Sequence, residues 1–146
     1  MNNQFEYDFF VSYRHREPDK SWVRKKLVPA LEERGLRGFI DYRDFRLGAA
    51  LVKEMARAVE HSRYTLAVVT STYLQSNFTE LENVMAEHLG LENSQIRLIG
   101  IIREAEAVEK ARLNMRASLM LDMTDDDLFE EMVERLAAAL QQPPDR

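Results

Sequence analysis

The sequence predicts an α/β fold of the flavodoxin-like kind: a five-stranded parallel sheet in the order 2-1-3-4-5, with helices on both faces. Three observations predict it. Short runs rich in aromatic and β-branched residues recur five times along the chain, and stretches with apolar residues at helical spacing separate them. The chain is 146 residues long and 45% hydrophobic, enough for one domain with its own core. It has no cysteine, so the core must hold without a disulfide or thiolate metal site.

Tyr7-Asp8-Phe9-Phe10-Val11-Ser12 reads as a buried first strand, closed by a polar, proline-containing loop that ends at Lys20. Trp22, Val23, Leu27, Ala30 and Leu31 then trace an amphipathic helix that stops at Gly35. Pro29 inside it has no N–H to donate and should kink or loosen that helix. Phe39-Ile40 forms a short second strand. The polar stretch Asp41 to Gly48 reads as a loop, Leu51, Met55, Ala58 and Val59 as a helix, and Tyr64 to Val69 as the third strand. Phe78, Leu81, Met85 and Leu89 mark the next helix, Arg97 to Ile102 the fourth strand and Ser118 to Leu121 the fifth, with a weak helix over Glu104 to Arg116 between them. Thr124 is the expected N-cap of the last helix, with Asp127 three positions on and Leu128, Met132, Leu136 and Leu140 along one face. Pro143-Pro144 ends regular structure. These boundaries give one domain over residues 1–141 and the start of a linker or tail over 142–146.

The net charge of −5 conceals a gradient, since residues 1–63 carry +3 and residues 64–146 carry −8. A protein that tracks nucleic-acid phosphates carries a basic excess, so nucleic acid is not an expected partner. Apolar runs are only a few residues long, and the first residues lack the basic-then-apolar layout of a signal peptide. The expectation is a cytoplasmic module without a membrane segment.

In such a sheet, ligands bind beyond the carboxyl ends of the strands where the strand order reverses. That position receives Ser12-Tyr13-Arg14 and Thr70-Ser71, beside the Asp41 to Gly48 loop. A phospho-receiver would need aspartates there, a flavodoxin a Gly/Ser/Thr loop and a dinucleotide-binding enzyme GxGxxG, and none occurs. Three scattered histidines make no metal site. Phe78 and Glu82 stand four apart on one helix and share a face, so an aromatic plane sits beside a carboxylate. That pair is suited to a flat cationic group on a ribose. Spacing alone favours the plainer reading, in which Phe78 is core and Glu82 a solvated helix residue.

Three segments together resemble the Toll/interleukin-receptor (TIR) domain family. Tyr7 to Arg14 resembles its first signature box, Asp41 to Gly48 its second box and BB loop, and Ser76-Asn77-Phe78-Thr79-Glu80-Leu81-Glu82 its S-x-W-x-x-x-E segment. One branch of the family cleaves NAD+ at the nicotinamide–ribose bond, including bacterial members in immune defence; the other recruits partners in signalling without turnover. Ser12-Tyr13-Arg14 is more similar to the enzymatic branch. The resemblance places the catalytic glutamate on Glu82 and the nicotinamide-stacking position on Phe78, where tryptophan is usual. A phenylalanine keeps a stacking face but offers less area and no N–H donor, which implies weaker activity. It also implies that NAD+ is a substrate and not a resident cofactor, with Ser12, Tyr13, Arg14, Arg43 and Arg46 on the substrate side and no metal. Asp44, Phe45, Leu47 and Gly48 of the BB loop would serve self-association into a homo-oligomer, in a longer chain with other domains. The alternatives are a scaffold or adaptor TIR without turnover and, third, an enzyme like the nucleoside deoxyribosyltransferases, against which Arg43-Asp44 and Gly48 count.

Overall fold

The computed structural model describes residues 5–115 and 118–144. All five strands are parallel: β1 (Tyr7–Ser12), β2 (Gly38–Phe39), β3 (Ser62–Val69), β4 (Leu98–Ile102) and β5 (Leu119–Asp122), in the order β2-β1-β3-β4-β5. The predicted flavodoxin-like sheet is therefore present. Side chains alternate across each strand, and the two faces build separate cores. Phe9, Val11, Leu66, Val68, Ile99 and Ile101 point to one side, and Phe10, Ala67, Val69, Leu98 and Ile102 to the other.

The first face is covered by α1 (Asp19–Trp22), α2 (Val28–Glu33) and α9 (Phe129–Leu140), which bring Trp22, Leu27, Leu31, Val133 and Leu136 onto it. Between α1 and α2 the chain makes a π-helical turn, Val23–Leu27, in which the Val28 N–H donates to the Val23 carbonyl. This is the loosening expected of Pro29, and it lies in the turn just before the proline. Gly38 of β2 has a reason to be glycine, because a Cβ there would meet the Phe9 ring.

The second face carries α4 (Leu51–His61), α5 (Ser71–Ser76), α6 (Phe78–Leu89), α7 (Leu91–Ile96) and α8 (Val108–Met115); α3 (Asp41–Asp44) is a single turn after β2. Here the structure departs from the sequence expectations in four places. The Asp41 to Gly48 stretch is not all loop, since its first four residues form α3, whose Asp44 carboxylate accepts the N–H of the N-cap residue Ile40 at 2.8 Å. The single helix expected around Phe78 is flanked by α5, capped by Thr70 accepting from the Tyr73 N–H, and by α7, set off by Gly90 at φ 82°. The weak helix after Glu104 is a 3-10 turn, Ala105–Ala107, followed by α8; its predicted end Arg116 lies outside the described residues. Finally, Thr124 is not the N-cap of the last helix. Its hydroxyl donates to Asp122 at 2.7 Å, Asp125 accepts from the Asp127 N–H, and a 3-10 turn, Asp126–Leu128, leaves Leu128 exposed instead of on the buried face. Of the expected domain and tail, residues 1–4, 116–117 and 145–146 lie outside the described residues.

Candidate functional site

The carboxyl end of β1 delivers Ser12, Tyr13 and Arg14 in three directions. Ser12 Oγ is 2.8 Å from the hydroxyl of Tyr73, which is fully buried at the start of α5. Burial pushes the Tyr73 hydroxyl pKa upward. Tyr13 donates to Asp41 Oδ1 at 2.8 Å and accepts from Arg24 Nε at 2.7 Å, while His15 Nε2 lies 2.7 Å from Asp41 Oδ2. Burial raises the Asp41 carboxyl pKa, but hydrogen bonds from His15 and Tyr13 outweigh it and hold the group below its ordinary value. The guanidinium of Arg24 also stacks on the Tyr42 ring at 4.3 Å. Arg14 is half-buried and makes no hydrogen bond or ion pair with the other described residues; its charge acts on the buried Asp19.

The second sequence segment is tied down by its arginines. Arg43 donates to Glu32 at 2.8 Å and to the Gly38 carbonyl at 3.0 Å. Arg46 holds Glu54 Oε2 with Nε at 2.9 Å and a terminal nitrogen at 2.6 Å, and its backbone N–H donates to Oε1 at 2.8 Å. Arg57 donates to the same carboxylate and to the Asp44 carbonyl. Glu54 is only 1% exposed, and the hydrogen bonds from Arg46 and then Arg57 lower its pKa to about 2. Phe45 packs its ring among Phe10 and Phe39. Leu47 beside it stands fully in solvent, and Gly48 takes a φ of 82°. Of the three arginines expected on the substrate side, Arg43 and Arg46 are thus engaged within the chain, and Arg14 is not.

Phe78 and Glu82 are brought together. They open α6 one turn apart and, with Met85 and Ala86, form the helix face that lines a cavity of about 340 Å³ between α6, α7 and α8. Phe78, Met85, Leu98 and Met115 are its buried floor; Glu82, Gln95 and Asn114 stand at its polar rim. Phe78 is therefore core and cavity wall at once: it is 3% exposed, with its ring 6.2 Å from that of Tyr73. Glu82 is exposed, as expected of a solvated helix residue, and so is Glu80, which lies outside this lining as its helical offset dictates. Ser12, Tyr13, Arg14, Arg43 and Arg46 do not line the cavity, which reaches Leu98 and Ser118 at the amino ends of β4 and β5 and so lies apart from the carboxyl-end position expected from the strand order.

Among the described residues, Glu82 makes no hydrogen bond or ion pair, and it is the one ionisable side chain in the lining. Ser94 and Ser118, also in the lining, donate to the Leu91 and Gln95 carbonyls, which leaves their oxygens acceptor capacity to spare. A larger cavity, about 870 Å³, lies along β4 and β5 and shares Gln95 and Ser118 with the first. It contains none of the residues singled out from sequence, so the carboxylate and aromatic pair marks the smaller cavity as the candidate site. Sequence reasoning missed Ser94, Gln95, Asn114 and Ser118, although Gly90 between Leu89 and Leu91 signals the helix break that turns α7 toward Glu82. Among the described residues no cluster of metal-ligating side chains occurs, and no helix is long and apolar enough to cross a membrane.

The family profile described as a TIR domain matches residues 9–142. The chain is 31% identical over 126 residues to Protein toll of Drosophila melanogaster, an alignment that covers 84% of the chain and 11% of that protein. It is 27% identical over 77 residues to the 2′ cyclic ADP-D-ribose synthase BtTIR of Bacteroides thetaiotaomicron, covering 53% of the chain and 26% of the relative. The crystal structure of the TIR domain of the Toll-related receptor TRR-2 from Hydra magnipapillata superposes with a TM-score of 0.69 at 23% identity, over 93% of this chain and 99% of that one. The chain thus spans roughly a tenth to a quarter of the length of these curated relatives.

Proposed function

The chain belongs to the TIR domain family, and on that premise we propose that it is an NAD+ nucleosidase that breaks the nicotinamide–ribose bond with Glu82 as its catalytic residue. One observation carries the reading: Phe78 and Glu82 line the same cavity, where the carboxylate has no partner among the described residues. The chemistry needs little more. Nicotinamide in NAD+ is already cationic, so when the C1′–N1 bond breaks its electron pair stays on the ring nitrogen and the base leaves neutral. No general acid is required, in contrast to ordinary two-carboxylate glycosidases. Glu82 accepts hydrogen bonds from the ribose hydroxyls and stabilises the positive charge that develops on the sugar. Water then adds to C1′ and releases a proton, giving ADP-ribose; attack by the adenine or a ribose hydroxyl of the same molecule gives a cyclic product instead. The relative named as a 2′ cyclic ADP-D-ribose synthase supports this class of chemistry.

Activity would arise on self-association through the second-box segment. The fully exposed Leu47, held out between the packed Phe45 and Gly48, supports that part of the proposal. The same observation favours a second reading, a TIR scaffold that recruits partners in immune signalling without turnover, consistent with its likeness to Toll. In either case the expected setting is the cytoplasm. The test is nicotinamide release from NAD+ at high protein concentration with a crowding agent. Wild type and Glu80→Ala should release it, and Glu82→Gln should slow release by about 10²–10³-fold. Equal NAD+ loss in all three, or none in any, overturns the enzyme reading.

A further inference from the structure

Ser12 ends β1, in register with Ala67 of β3, and does not line the cavity at Glu82. Its side chain is spent on Tyr73. The two hydroxyl oxygens are 2.8 Å apart, and neither makes another hydrogen bond with the described residues. Their situations differ, because Ser12 is half-buried and can turn to water, whereas Tyr73 is 0% exposed. Without Ser12, the Tyr73 hydroxyl becomes a buried polar group with no partner. Arg14, two positions on, stands apart from this pair: it is half-buried and makes no hydrogen bond or ion pair with the described residues.

Tyr73 in turn holds the start of α6. Its carbonyl accepts the Asn77 N–H at 2.9 Å, and Asn77 immediately precedes Phe78. Its ring lies 6.2 Å from the Phe78 ring, tilted by 48°. Its own N–H donates to the Thr70 hydroxyl at 3.1 Å, which anchors α5 just past the end of β3. Phe78 and Glu82 then follow one turn apart in the cavity lining. A continuous set of contacts therefore runs from the end of β1 to the cavity wall, and a close-packed interior passes a displacement along such a set instead of absorbing it.

We infer that Ser12 is a positioning residue for the site at Glu82: through the Tyr73 hydroxyl it fixes the start of α6, and with it Phe78 and Glu82, without touching substrate. The inference rests on the proposed nucleosidase reading for its effect on turnover, and on the hydrogen bond and the ring contact for its effect on the cavity. It moves Ser12 from the substrate side to the support of the site, and it adds Tyr73, which no sequence signal singled out.

The experiment compares wild type, Ser12→Ala, Tyr73→Phe and the double variant. For each, kcat and KM are measured for nicotinamide release from NAD+. The methyl resonances of Met85 and Met115, which line the cavity with Phe78, are recorded without substrate. Ser12→Ala should lower kcat by about 10–100-fold with little change in KM, and should shift both methyls. Tyr73→Phe strands no buried hydroxyl and should cost less. Once Tyr73→Phe is present, adding Ser12→Ala should change kcat by less than about twofold. A residue that touches substrate would cost the same in either background, so a further loss in the double variant overturns the inference, even where Ser12→Ala alone folds poorly. Met85 and Met115 methyls that neither single variant moves overturn it as well. The two failures are distinct. Glu82-dependent release with a full, additive cost of Ser12→Ala removes the inference and leaves the nucleosidase reading; no release from any of the four proteins removes that reading, and the methyl shifts then decide the inference alone.

Discussion

The two ends of this domain use similar side chains to opposite effect. Around Asp41 and Glu54, four arginines, a histidine and two tyrosines lie among carboxylates, and most polar groups there have a partner: Tyr13 with Asp41, Arg24 with Tyr13, Arg43 with Glu32, and Arg46 and Arg57 with Glu54. Around Glu82 a carboxylate and two amides line a cavity and find no partner among the described residues. Charges that pair with one another fix a backbone; an exposed carboxylate at the rim of a cavity is available to something else. The first region is where arginines were expected on the substrate side; in the second, Phe78 is buried and Glu82 exposed, as spacing alone suggested.

Substitutions can break this contrast. The largest effect on stability is expected at Phe78, where truncation to alanine removes a ring that is 3% exposed and should cost ~3–5 kcal/mol. Urea denaturation will measure it, and a cost under ~1 kcal/mol would show that the ring serves the cavity and not the core. Glu54 sharpens the other side through pH. Its folded pKa of about 2 lies below the ordinary 4.5, so its stabilising contribution is complete above pH 4.5 and is lost as pH falls toward 2. The stability gap between wild type and Glu54→Gln should therefore be widest at neutral pH and close across that window; a gap independent of pH would mean that charge is not what holds Glu54. The smallest effect belongs to Arg46→Ala. Arg57 still pairs with Glu54, so the midpoint of unfolding should move little, while amide hydrogen exchange at Arg46 to Ala49 should accelerate. Unchanged exchange would show that the segment is held by Phe45 alone.

Much of the architecture was legible because it follows from local periodicity. The strands around Phe9, Leu66 and Ile101 are continuous apolar runs, as expected for strands covered on both faces, and their alternation with helices permits few topologies. Phe78 and Glu82 were legible as a pair for the same reason, since four residues make one turn. What stayed hidden depends on partners that no local rule supplies. Glu32 reaches Arg43 across 11 positions of sequence, and Glu54 reaches Arg46 across 8. Thr124 failed as a cap because Asp122 and Asp125 compete for the same turn, and all three are good capping residues. Asn114 gives no sign in the sequence that α8 will set it opposite Glu82.

The strand order also governs when each part of the sheet can form. β1 is paired on both sides, yet it is made first, and its neighbours arrive unequally. β2 follows it and offers only two register pairs, Phe9 with Gly38 and Phe10 with Phe39. β3 supplies five, from Tyr7 with Ser62 to Ser12 with Ala67, and it does so only after α4 has been built. With parallel pairs throughout, no hairpin can close early to shelter those residues. During synthesis β1, with Phe9, Phe10 and Val11, therefore waits for the chain to pass Val69, and that interval is when a nascent chain most needs protection from its neighbours.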